Sequence, residues 1–440
     1  MSKRILIANR ATVADRVIRA AHALGHETVA VHSEADAAMP YVHHATLAAA
    51  LPGNQAMETY LNQDRILEIA LEHQCDAVHP GYGFLAENAA FADKVRAAGL
   101  VFIGPSTEHI RQLGNKIEAR NLFSSLGVPV FGSSSRIHSL EELARAANDI
   151  GYPVMLKPAD GGGGIGMFPI YDVAMLEKCW EQSVLISQRA FGSSSVYLEK
   201  LAQAPKHIEF QYLSDQYGHV EFIGSRDCSV QRRRQKVIEE GPVLRPAQAE
   251  VAEMAERLRA VLQHIGYQVI GTVETLWDPQ LGFSFLEVNT RLQVEHAVTE
   301  ETSGVDIVQT QINLAFGQSL DQARRAHGTA SGHAVQARIY AEDPVKFYPS
   351  CGTIVTFDFP THDGIRLELG YGQGNVVSPF YDPMMGKVIA SAESREAAVH
   401  LLKSYLSRCT IQGVKTNIPF VLKTLEDDEF INNTYTTNRN

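Results

Sequence analysis

Residues 287 to 295 read Glu287-Val288-Asn289-Thr290-Arg291-Leu292-Gln293-Val294-Glu295, which puts Glu287, Asn289, Arg291, Gln293 and Glu295 at every second position. Side chains alternate faces along a strand, so the run predicts a strand from Phe283 to Glu295 with the five polar groups on one side and Val288, Leu292 and Val294 on the other. Two carboxylates, an amide and a guanidinium in one row can hold a hard cation beside an anion. Taken alone, such a run reads equally as an amphipathic surface strand with one wet face. The rest of the chain decides between the two.

The 440 residues are 45% hydrophobic and 20% charged, the balance of a folded globular protein with room for several domains. A net charge of -11 argues against non-specific binding to nucleic acid or an anionic membrane. A local cluster, Arg232, Arg233, Arg234 and Lys236, still offers an anion pocket. The five cysteines are scattered, with no Cys-x-x-Cys spacing, as expected of reduced thiols. The first apolar run, Ile5 to Ala8, is too short for a signal peptide, and no stretch approaches the ~18 residues of a membrane helix. A cytoplasmic protein without membrane or nucleic-acid partners is expected.

The first hundred residues alternate short apolar runs with helical patterns, predicting a parallel α/β sheet over 1–113. A second unit, 114–320, begins with helices near Lys116 to Leu126 and Leu140 to Ile150. It continues through a strand ending at Lys157 into Gly161-Gly162-Gly163-Gly164, then turns to long alternating strands that predict an antiparallel sheet. A third unit of strands and helix covers 331–440. Four successive glycines cost backbone entropy that a plain turn does not require, and backbone N–H groups without side chains can close on phosphate oxygens. Lys116 and Lys157 are candidate phosphate ligands, and Glu274, in an otherwise apolar strand, joins Glu287 and Asn289 as a candidate magnesium site. The segment Arg226 to Lys236 reads on its own as a solvated charge run.

Together these segments resemble the biotin carboxylase family, the ATP-grasp subunits or domains of biotin-dependent carboxylases such as acetyl-CoA carboxylase. The resemblance rests on the order and spacing of Ile7-Ala8-Asn9-Arg10, His79-Pro80-Gly81-Tyr82-Gly83-Phe84-Leu85, Phe102-Ile103-Gly104-Pro105, Gly151-Tyr152-Pro153-Val154, the glycine run, Arg226-Asp227-Cys228-Ser229, Gln235-Lys236-Val237, Glu287 to Glu295, and Arg338 with Ala341-Glu342-Asp343-Pro344. It implies a three-part fold: an N-terminal parallel α/β domain, a central ATP-grasp domain with a mobile glycine-flap lid over about 130–203, and a C-terminal α+β domain.

The resemblance also implies the site. ATP would lie among Lys116, Lys157, Gly163, Gly164, Glu199, Lys200, Leu201, Ala202, His207, Gln231, Arg234, Glu274, Leu276 and Glu287. Mg²⁺ or Mn²⁺ would sit on Glu274, Glu287 and Asn289. Bicarbonate would meet Lys236, Arg291, Gln293, Val294 and Glu295, and biotin would meet Tyr82, Gly83 and Arg338. Lys236, Arg291, Glu295 and Arg338 would be catalytic, with Glu295 as general base. The expected reaction is ATP- and bicarbonate-dependent carboxylation of biotin through carboxyphosphate. Neither a Met-Lys-Met biotinylation segment nor a carboxyltransferase-like region occurs, so the biotin carrier and carboxyltransferase are expected on separate chains, and the resemblance implies a homodimer as the usual assembly. Ala11-Thr12-Val13-Ala14, Asp160, Ile165, Ala202, Arg234 and Ala297 depart from the usual family residues. Two alternatives fit the same motifs: an ATP-grasp ligase that forms another acyl phosphate without biotin, and a non-catalytic ATP-binding partner of a carboxylase complex.

Overall fold

The computed structural model describes residues 2–159 and 165–438. The expected glycine flap, Gly163 and Gly164 included, lies outside the described residues.

Near the N-terminus the short apolar runs become a parallel sheet in the order Leu47–Ala50, Glu27–His32, Arg4–Ile7, Ala77–His79, Val101–Phe102. Their side chains are buried on both faces except at the edge strand Leu47–Ala50, as expected where helices cover a parallel sheet. The helix Ala11–Ala23 follows the first strand and buries Val13, Val17 and Ile18.

Among the described residues the largest sheet has eight antiparallel strands. Their order is Gly282–Asn289, Val269–Asp278, Lys206–Ser214, Val220–Arg232, Gln235–Gly241, His333–Tyr340, Met384–Ala392, Ile365–Leu369. It runs unbroken from the central to the C-terminal part of the chain, because Gln235–Gly241 pairs with His333–Tyr340. A smaller sheet, Phe168–Ile170, Val154–Pro158 and Val196–Lys200, carries the helices Leu140–Ile150 and Leu176–Phe191 around its own apolar core. Ser139 caps the first of these helices by accepting from the Glu142 amide. None of the described helices is long and apolar enough to cross a membrane.

Two expectations fail here. The run from Phe283 to Glu295 is not one strand: pairing ends at Asn289, and Thr290 to Glu295 forms a loop leading into the helix His296–Ser303. Gly282–Asn289 is an edge strand, so beyond Asn289 the chain loses its pairing partner and follows side-chain anchors instead. The segment from Arg226 to Lys236 is not a solvated charge run either. Val220–Arg232 extends through it, and Arg226 is fully buried.

Glu240 ties the C-terminal tail to the large sheet. It accepts from His333 Nε2 at 2.8 Å and from Arg395 Nε at 2.6 Å, and it also holds the Tyr435 hydroxyl. Beyond Tyr435 the tail reaches the second unit, where the Thr437 amide donates to Pro205 O at 2.9 Å and Asn438 Nδ2 to Gln203 O at 2.8 Å. Burial alone would raise the Glu240 pKa, but His333 and Arg395 lower it to about 2. A depressed carboxyl stabilises the fold fully above its unfolded value near 4.5, and the contribution is lost as pH falls toward 2. Glu240→Gln should therefore cost about 3 kcal/mol at pH 7. In thermal melts, its deficit against the parent should narrow steadily as pH drops below about 4.5.

Candidate active site

Strand register brings four charged residues together on the large sheet. Glu209 and Glu274 are direct partners on adjacent strands. The Lys236 ammonium donates to Glu209, to Glu274 Oε1 at 2.8 Å and to Glu295 Oε1 at 2.8 Å. Burial works against its charge, but the three carboxylates outweigh that and hold the Lys236 pKa well above its ordinary value. Arg226, on the next strand, neutralises Glu209 from behind at 2.9 Å and donates to the Gln293 side-chain oxygen.

At one end of this cluster lie the candidate metal ligands. Glu274 pairs in register with Glu287, and Asn289 Nδ2 donates to Glu274 Oε1 at 2.8 Å. Lys116 Nζ is 2.7 Å from Glu287 Oε2, and His207 Nε2 is 2.8 Å from Glu274 Oε2. Two carboxylates on paired strands are oxygen donors of the kind a hard divalent cation takes, while the Asn289 amide oxygen accepts from Arg291 Nη2 at 2.6 Å.

At the other end the loop after Asn289 carries Arg291, Gln293 and Glu295. Glu87, from the parallel-sheet unit, accepts from the Thr290 amide at 3.1 Å and from Arg291 Nε at 2.9 Å. Gln293 donates to Glu274 Oε1 at 2.9 Å. Glu295 bridges Lys236 and Arg338, whose Nη2 lies 3.0 Å from Glu295 Oε2, while Arg338 Nε donates to Glu239 at 2.5 Å. Burial pushes the Glu295 pKa up, but Lys236 and Arg338 bring it below its ordinary value, so Glu295 is a carboxylate at neutral pH. At Glu239 burial outweighs Arg338, and its pKa is raised above its ordinary value.

A cavity of about 770 Å³ covers this cluster. Every expected nucleotide, metal and bicarbonate residue among the described ones lines it: Lys116, Lys157, Glu199, Lys200, Leu201, Ala202, His207, Gln231, Arg234, Lys236, Glu274, Leu276, Glu287, Asn289, Arg291, Gln293, Val294 and Glu295; Arg338, expected at biotin, lines it too. Lys157 is ion-paired with Glu199, so its ammonium is balanced within the protein. Arg233 and Arg234 both adopt positive φ, 50° and 67°, at the hairpin between Arg232 and Gln235. Two non-glycine residues in this conformation cost stability, and both residues line the cavity. Arg232 does not join them, contrary to the expected four-residue cluster. It pairs with Glu342 and lies over the Phe347 ring at 4.4 Å.

A second cavity of about 600 Å³ adjoins the first, and Val294, Arg338, Tyr340 and Asp382 line both. Tyr82 and Gly83 line the second. Their turn is fixed by Asn9 Nδ2, which donates to Pro80 O and Tyr82 O, both at 2.7 Å. Gly81 sits at φ 64°, and a Cβ there would come within 2.9 Å of Asn9 Nδ2, so the turn requires glycine at that point.

Family models match most of the chain in three consecutive pieces. They are the biotin carboxylase N-terminal domain over residues 1–110, the carbamoyl-phosphate synthase L chain ATP binding domain over 115–323, and the biotin carboxylase C-terminal domain over 336–439. The chain is 42% identical to biotin carboxylase 2 of Bacillus subtilis over 438 residues, covering 99% of this chain and 98% of that one. The chain belongs to the biotin carboxylase family. Among solved structures, the Campylobacter jejuni biotin carboxylase in its β,γ-ATP complex superposes with a TM-score of 0.94 at 38% identity, covering 100% of this chain and 98% of that one. The biotin carboxylase domain of Hydrogenobacter thermophilus 2-oxoglutarate carboxylase, solved with MgADP, ADP and bicarbonate, gives 0.92 at 40% identity, covering 99% and 96%. The mixed α/β fold with an N-terminal parallel sheet, an ATP-grasp domain and a C-terminal domain is that of biotin carboxylases.

Sequence reasoning had missed several residues of this biotin carboxylase site. Glu209 is legible in the sequence as sharing a strand face with His207, but it was given no role in the expected site. Glu87 and Glu239 carry no local signal that singles them out, because their partners are 204 and 99 residues away, whereas Arg226 stands in the quoted Arg226-Asp227-Cys228-Ser229 segment and was given no role of its own. The cluster also sets the state of His207. Burial lowers its pKa, but Glu274 and Glu209 raise it to about 9, so the ring is charged at neutral pH. In ¹³C-labelled histidine spectra His207 should titrate near 9, and Glu274→Gln should bring that transition down by about 2 pH units or more.

Proposed function

We propose that this chain carboxylates biotin held on a separate carrier protein, using ATP and bicarbonate. The observation that carries this reading is Glu295, an ionised carboxylate shared by Lys236 in one cavity and Arg338 at the wall of the next. That arrangement suits a reaction whose anionic carbon source is activated on one side and whose acceptor waits on the other.

In this reading ATP occupies the larger cavity, with its phosphates near Lys116, Lys157 and Arg234 and its adenine near Lys200, Leu201 and Ala202. Glu274, Glu287 and Asn289 hold Mg²⁺, which would neutralise charge on the transferring phosphoryl group. Lys236, Arg291, Gln293 and the Val294 amide hold bicarbonate, and Arg291 must then exchange part of its bond to Glu87 for the substrate. Glu295 takes the bicarbonate proton as an oxygen of the anion attacks the γ-phosphorus and ADP leaves. The resulting carboxyphosphate breaks into CO₂ and phosphate, phosphate takes the ureido proton of biotin, and Arg338 stabilises the enolate that captures CO₂. Biotin enters through the smaller cavity, past Tyr82 and Gly83. Its partners are the biotin carrier and the carboxyltransferase, and the final carboxyl acceptor is chosen by the transferase.

The deciding assay is ADP release from Mg-ATP that requires bicarbonate and rises on adding free biotin or a biotinylated carrier; its absence sinks the proposal. Glu295→Gln should reduce bicarbonate-dependent turnover by roughly a hundredfold to ten-thousandfold while ATP affinity stays within a few-fold. Retained turnover would remove Glu295 as the base.

A further inference from the structure

The loop that presents the candidate bicarbonate ligands has almost no pairing to its sheet, yet its backbone is held at two successive carbonyls. His296 Nδ1 lies 2.7 Å from Gln293 O, and Lys387 Nζ donates to Val294 O at 2.6 Å. Both side chains are buried, and the mechanism above uses neither. Lys387 comes from the strand Met384–Ala392, where it also pairs with Glu368 at 2.5 Å.

A carbonyl oxygen only accepts, so the proton of the His296–Gln293 contact sits on Nδ1. Burial pushes the His296 pKa down to about 3, and Lys387 works in the same direction, so the ring is neutral and carries that single proton. Its Nε2 has no hydrogen-bond partner and stands 3.9 Å from both Glu300 and Glu368. These three residues could be taken for a metal site. Arg16, Arg366 and Lys387 already neutralise the two carboxylates, which argues against a cation there.

The peptide between Gln293 and Val294 is trans. In a trans peptide the C=O and N–H point in opposite directions. With Gln293 O fixed toward His296, at the start of the helix His296–Ser303, the Val294 N–H must point away from that helix. No acceptor meets it among the described residues, and Val294 lines both cavities. Lys387 fixes the next peptide in the same way, so Val294 cannot rotate without breaking a buried hydrogen bond on one side or the other.

We propose that His296 and Lys387 are positioning residues that aim the Val294 N–H into the cavity as an anion donor. The proposal rests on the bicarbonate reading of that cavity. Neither residue touches substrate; each acts through a peptide plane.

The test compares His296→Ala, His296→Asn and Lys387→Met. An asparagine amide can donate from nearly the position of Nδ1, whereas alanine cannot. His296→Ala and Lys387→Met should each raise the KM for bicarbonate roughly tenfold to a hundredfold, the range for losing one hydrogen bond to a charged group, with the KM for ATP within about twofold. His296→Asn should recover most of the loss. Equal damage to both KM values, or no difference between the asparagine and alanine variants, would overturn the proposal. A crystal structure of His296→Ala gives a readout without turnover: a rotated 293–294 peptide supports the proposal, and an unmoved one refutes it. Should the parent protein show no bicarbonate-dependent turnover, the functional reading fails by itself, and the crystal structure still decides the positioning role.

Discussion

One half-buried ammonium organises this molecule. Lys236 sits among Glu209, Glu274 and Glu295, and each of those carboxylates needs a further partner: Arg226, His207 and Arg338 respectively. Removing Arg226 would leave Glu209 as an uncompensated charge in the interior, a loss that typically amounts to several kcal/mol. The sheet register is therefore fixed by charge as well as by apolar packing. A one-residue slip of Val269–Asp278 against Lys206–Ser214 would turn Glu274 to the opposite face, into the apolar layer of Phe210 and Val273. Fold and site share one constraint.

Patterns that repeat locally were legible in the sequence. The parallel unit shows as short apolar runs separated by helical periods, and the helix Leu140–Ile150 announces itself by its Ser139 cap. The run from Glu287 to Glu295 is more instructive. It named residues that do converge on one cavity, but the reason given for the convergence was wrong. A strand would leave one face wet and one dry, whereas Leu292, Gln293 and Glu295 are all buried and the strand has ended at Asn289. The residues meet because Glu87, Arg226, His296 and Lys387 pull an unpaired loop into place. No window of sequence contains those four. Arg226 shows the same limit: inside a donor-rich segment it reads as solvated, and only the folded sheet reveals that Glu209, Gln211, Gln293 and Thr299 surround it.

The loop's dependence on distant anchors explains why the C-terminal part of the chain matters to a site built mainly on central strands. Lys387 and Arg338 both come from strands beyond residue 330, and they bond to Val294 and Glu295 respectively. Because His333–Tyr340 pairs directly with Gln235–Gly241, these anchors ride on the same sheet as Lys236 and keep their spacing from it.

That continuity bears on how protons are distributed at the wall between the cavities. Arg338 is one cation facing two carboxylates, Glu239 and Glu295. Both cannot be ionised cheaply in a buried setting with a single shared guanidinium. Lys236 breaks the tie, because it contacts Glu295 and leaves Glu239 to Arg338 and Gln336. Burial then holds the Glu239 pKa above its ordinary value, whereas Lys236 and Arg338 hold Glu295 below its own, which leaves Glu295 as the open base. The asymmetry needs no motion and no ligand. It follows from which of two glutamates lies within reach of the lysine, and that reach is set by the loop whose backbone His296 and Lys387 hold.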